Sequence, residues 1–166
     1  PTVDILRKKL AALDGAEDCL VFNSGASAIF SSIVPFVSSG DHIVSVKNPY
    51  TWAQKCFNLF LTRYQVTTSY VDARITEEVF DACKENTKII YLESPNSWDF
   101  AIQDLRAIAQ FAKERGIMTI CDNSFATPIY QRPIELGIDI SIQSATKYIG
   151  GHSDVVAGVL TGKKSI

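Results

Sequence analysis

Two hydrophobic periods alternate along the chain. Helical spacing links Leu6, Leu10 and Leu13, then Ile29, Ile33, Val34 and Val37, and most clearly Leu105, Ile108, Ala109 and Ala112. The last series predicts a helix with a well-marked end. Lys113 and Arg115 complement its dipole, and Gly116 suits the left-handed position that follows. Thr76 is placed to cap another helix over 77–85, with Glu77 and Glu78 in its first turn. Between the helices lie short apolar runs at 19–22, 43–46, 66–71, 88–92, 117–121, 138–142 and 155–160. Strands alternating with helices predict crossover units and a sheet covered on both faces. The expectation is an α/β chain: one three-layer α/β/α domain over 1–166, with a mostly parallel mixed sheet of about seven strands.

Composition narrows the possibilities. A chain of 166 residues, 46% apolar and 20% charged, is long enough for a real core and too apolar to be disordered. A formal charge of -2 gives no reason to expect nucleic acid or an anionic membrane as partner. No apolar run approaches a membrane span, and no secretory pattern opens the sequence. Cys19, Cys56, Cys83 and Cys121 are scattered in apolar stretches without a C-x-x-C pair, which predicts buried free thiols and a cytoplasmic setting. No metal site is expected, and His42, beside Asp41 at a strand entrance, reads as structural. Neither G-x-G-x-x-G nor G-x-x-x-x-G-K-[ST] occurs, so dinucleotide and P-loop binding lose their support. The first residues, Pro1-Thr2-Val3-Asp4, and the last, Lys163 to Ile166, suggest a stretch of something longer.

In an open sheet of this kind, ligands gather at the carboxyl ends of the strands. Five polar turns fall there: Asn23 to Ser27, Asn48-Pro49-Tyr50, Glu93 to Asn96, Asp122-Asn123 and Ser144 to Lys147. The turn at Gly25 and Ala26 opens a helix and offers free N–H groups to a phosphate, although Ser24 can equally be a plain N-cap. Ser144 and Thr146 flank the approach to Lys147, so two hydroxyls can meet a phosphate while the amine meets an aldehyde. A cofactor that is both is pyridoxal 5'-phosphate (PLP), which also needs an acid opposite its pyridine nitrogen. Asp122, at the end of a buried run, is the candidate. Tyr50 can stack on a flat ring, while Trp52, Phe57 and Phe60 are expected in core or interface packing. Lys147 is expected to be partly buried, in a loop shaped by Gly150-Gly151.

Leu92-Glu93-Ser94-Pro95, Cys121-Asp122-Asn123-Ser124, Ser144-Ala145-Thr146-Lys147-Tyr148 and Gly151-His152-Ser153-Asp154 resemble the cystathionine β-lyase and γ-synthase family. These are PLP-dependent enzymes of cysteine and methionine metabolism with the aspartate-aminotransferase type of fold. The resemblance implies that residues 1–166 are the PLP-binding large-domain core, without the family's N-terminal arm and C-terminal domain. It implies that Lys147 forms the Schiff base, Asp122 pairs with the ring nitrogen, and Tyr50 stacks and helps activate the substrate. Gly25, Ala26, Ser144 and Thr146 would hold the phosphate. Lys147 and Tyr50 are the implied catalytic pair. The implied activity is C–S bond cleavage in a small sulfur-containing amino acid, in a parent that forms homo-oligomers with shared sites. Ser97 stands where most γ-acting members carry Asn, which favours β-elimination of the cystathionine β-lyase kind over γ-lyase, γ-synthase or sulfhydrylase chemistry. Arg7, Arg63, Arg74, Arg106, Arg115 and Arg132 match neither the arm arginine nor the arginine that grips the substrate carboxylate. The stretch alone is therefore expected to be a poor catalyst, or to keep only the fold.

Overall fold

The computed structural model describes residues 2–166; Pro1, where the family likeness begins, lies outside them. Helix α1 (Thr2–Asp14) leads into β1 (Asp18–Phe22), and α2 (Gly25–Ile33) into β2 (His42–Val46). Next come α3 (Thr51–Lys55), a π-helical turn, a short 3-10 turn and β3 (Thr67–Val71). The order continues α4 (Thr76–Ala82), β4 (Thr87–Glu93), α5 (Leu105–Arg115), β5 (Met118–Asp122), α6 (Thr127–Tyr130), β6 (Ile140–Ser144) and β7 (Gly158–Gly162).

The seven strands form one sheet in the order β1-β7-β6-β5-β4-β2-β3. Strands β1 to β6 all run the same way, and β7 runs antiparallel between β6 and β1. Period-two alternation then sorts the core. Ile43, Ile89, Tyr91, Ile120, Ile140 and Ile142 face the layer of α2 and α3, with Ile29, Ala53 and Phe57. Val44, Val46, Ile90, Leu92 and Cys121 face α4 and α5, where Val79, Ile108 and Ala112 cover them. Leu10 and Ala11 of α1 close over Cys19 and Val159. The expected mixed, three-layer architecture is the one observed.

Some local expectations change. Helix α4 has Ile75, not Thr76, at its N-cap, without a side-chain cap bond, and ends at Ala82. The last strand begins at Gly158 because Val155 and Val156 are exposed in the approach to it. A Cβ on Gly158 would overlap the Ser24 carbonyl oxygen, so only glycine lets β7 pass beneath the start of α2. The end of α5 is as expected, with Gly116 left-handed at φ 66°. His42 is fully buried, its Nδ1 2.8 Å from Thr87 Oγ1 and its Nε2 2.9 Å from Ser69 Oγ, as a structural residue should be.

Candidate active site

All five polar turns end at one rim, because β1, β2, β4, β5 and β6 run the same way. A cavity of about 210 Å³ opens there, lined by Gly25, Ala26, Tyr50, Asp122, Ser144, Thr146 and Lys147 among others. Every residue expected at the site is thus brought to one hollow. A second cavity of about 310 Å³ adjoins it and shares Tyr50, Asp122, Ser124 and Lys147.

The first turn of α2 forms part of the wall. Ser24 caps it, accepting the Ser27 N–H at 3.1 Å, which leaves the Gly25 and Ala26 N–H groups without intrahelical acceptors. A Cβ on Gly25 would sit 2.9 Å from Ser144 Cβ and 3.0 Å from its Oγ. The glycine therefore brings the helix end against β6, and Ser144 joins the same polar end. Thr146 is more committed than its spacing suggested. Its hydroxyl donates to Ala157 O at 3.2 Å and accepts the Ala157 N–H at 3.1 Å, pinning the strap that leads to β7.

Asp122 occupies the deeper wall, 8% exposed, with Oδ1 accepting the Ser124 N–H at 2.9 Å. Burial pushes its carboxyl above the usual range; hydrogen bonding from Ser124 and the field of Lys147 offset this only in part. A buried acid in this position favours a cationic N–H partner. Glu93, its register partner on β4, is also buried, and burial followed by the Asp122 charge pushes it up as well. Lys147 Nζ lies over the Tyr50 ring, 4.9 Å from the centroid. Contrary to expectation Lys147 is exposed, in the turn that follows β6, while it still lines the cavity.

The donor set fits PLP: free N–H groups and a hydroxyl for an anion, a buried acid for a cationic ring nitrogen, and an amine beside an aromatic face, all lining one cavity. Sequence reasoning left three lining residues without a role. Ser124 donates its N–H to Asp122 and its Oγ accepts the Ser144 N–H at 2.7 Å, tying β5 to β6. Trp52, expected in packing, is 45% exposed and lines the first cavity. Glu93 bridges two loops; its place in a strand-end turn and in the Leu92-Glu93-Ser94-Pro95 motif signalled it without giving it a role.

Residues 1–166 match the family described as Cys/Met metabolism PLP-dependent enzyme. The chain belongs to this family. Within it, the chain is 40% identical over 167 residues to L-methionine gamma-lyase of Fusobacterium nucleatum subsp. nucleatum, covering 100% of this chain and 42% of that protein. Cystathionine beta-lyase MetC of Bacillus subtilis is 39% identical over 163 residues, with 98% of this chain and 42% of that protein covered. The crystal structure of metB from Corynebacterium glutamicum superposes with a TM-score of 0.94 at 36% identity, over 96% of this chain and 42% of that one. The chain thus spans less than half the length of these members of the Cys/Met metabolism family.

Proposed function

We propose that this chain is the cofactor-holding part of a PLP-dependent C–S lyase that cleaves a small sulfur-containing amino acid. One observation carries the reading: Lys147, Asp122 and Tyr50 line the same cavity as the free N–H groups of α2. When bound, the cofactor supplies an aldehyde for the substrate nitrogen and an electron-withdrawing ring that acidifies Cα. The chain's own residues do the rest. Gly25, Ala26 and Ser144 would hold the phosphate, with Thr146 buttressing the strap beside it. Asp122 would pair with a cationic ring nitrogen, and such a partner would let it keep its charge despite burial. The Tyr50 ring covers the reacting face, and Lys147 Nζ takes the Cα proton and delivers it later. Sulfur then leaves with the electron pair of its bond to the β carbon.

β-Elimination is the preferred chemistry because Ser97 stands in place of the Asn of most γ-acting members and lines the second cavity. The similarity to proteins named L-methionine gamma-lyase supports γ-elimination as the second reading. Among the described residues, Lys147 is the only cation lining the two cavities, so bidentate capture of the substrate carboxylate draws on residues beyond this stretch or on another copy in a homo-oligomer. No described helix is long and apolar enough to cross a membrane, and the cysteines are free, with burial pushing Cys19 and Cys56 up to about 12. Such poorly reactive thiols suit a reducing cytoplasm.

The test is to identify the keto acid that the full-length protein releases from cystathionine. Pyruvate is expected, with release abolished in Lys147→Ala. 2-Oxobutyrate would support the γ reading, and release that survives Lys147→Ala would refute both.

A further inference from the structure

Glu93 touches two loops of the site at once. Its Oε2 accepts the Tyr50 N–H at 2.7 Å and its Oε1 accepts the Ser97 N–H at 2.6 Å. The residue is 3% exposed and lines the second cavity. Tyr50 is the N-cap of α3, so its N–H belongs to no helical ladder, and no side-chain cap bond is made there. Weaker ties hold the neighbouring backbone: Asn96 Nδ2 donates to Asn48 O at 3.2 Å, and Gln54 Nε2 to Pro49 O at 2.8 Å. Neither fixes the Tyr50 amide itself.

The choice of a carboxylate here is costly. Glu93 pairs in register with Asp122 across adjacent parallel strands, backbones about 4.8 Å apart. Two acids buried side by side oppose each other's ionisation. A glutamine would avoid the second charge, but it has one acceptor oxygen where two N–H groups point in. Only a carboxylate satisfies both, through charge-assisted bonds.

We infer that Glu93 is a positioning residue, which holds the Tyr50 ring over Lys147 Nζ and sets the Ser97 turn against the same cavity. The role rests on the proposed function, since it acts through Tyr50 on the reacting face. Small displacements of such a group cost rate out of proportion to their size.

Two measurements on the full-length protein test this. In the cofactor-free wild type, residue-resolved hydrogen exchange should find the Tyr50 and Ser97 amides protected; exchange at unprotected rates would overturn the inference, whether or not any variant folds. In Glu93→Gln, kcat should fall on the order of 10- to 100-fold, while KM stays within about threefold and borohydride still traps the cofactor on Lys147. The visible circular dichroism of the bound cofactor should change as the Tyr50 ring shifts. An unchanged kcat, or a raised KM with kcat intact, would sink the positioning role alone. Failure to trap Lys147 in the wild type would instead sink the proposed function and leave the exchange result standing.

Discussion

Asp122 shows how burial sets the chemistry of one residue. Burial pushes its carboxyl up from 3.8, so the folded, cofactor-free chain favours the neutral acid. The unfolded chain ionises first as pH rises, and stability is therefore lost as pH rises from the ordinary value through the raised one. Asp122→Asn, which mimics the neutral acid, should leave the cofactor-free protein at least as stable at neutral pH in thermal melts. The same change should weaken cofactor binding, followed by fluorescence titration, on the order of 10- to 100-fold. A stability loss without an affinity loss would contradict the assigned role. At Gly25 the constraint is steric. Gly25→Ala puts a methyl 2.9 Å from Ser144 Cβ, and pushing α2 off β6 should cost about 1–3 kcal/mol in denaturant unfolding. Cofactor affinity should fall in parallel, because the turn proposed to hold the phosphate moves with the helix.

At the scale of elements, the far rim of the sheet is held by His42, which joins β2 to Ser69 of β3 and Thr87 of β4. Burial, then the charge of Lys84, lowers its pKa, so the fold favours the neutral ring. Its stabilisation is present above the ordinary value of 6.5 and is lost as pH falls through it. The melting temperature should drop between about pH 7.5 and pH 5.5, and His42→Gln should flatten that slope from a lower starting point. An equal slope in both proteins would count against the clasp. The strands themselves were legible because their apolar runs are short, branched and flanked by polar turns. Less legible was β7: its insertion between β6 and β1 depends on Gly158 passing under Ser24, a contact far apart in sequence. The cap of α4 was misread for a local reason. Thr76 has the right side chain but already lies inside the first turn.

For the whole molecule, the site was legible because parallel strands send their ends to one rim, so polar turns at successive strand ends must converge. What the sequence hid are the long-range ties among those turns. Glu93 reaches Tyr50 across 43 residues, Ser124 reaches Ser144 across 20, and Thr146 is held by Ala157. None follows from spacing, since each arises only when the sheet has formed. The exposure of Lys147 has the same origin: its surroundings are set by where the turn after β6 emerges, not by its neighbours in sequence. The central claim is that Lys147 bonds the cofactor held between Asp122 and the N-terminus of α2. Borohydride reduction of the full-length protein with PLP, followed by peptide mass spectrometry, tests it most directly. A pyridoxyl adduct confined to Lys147 is expected; an adduct on another lysine, or none, would contradict the account.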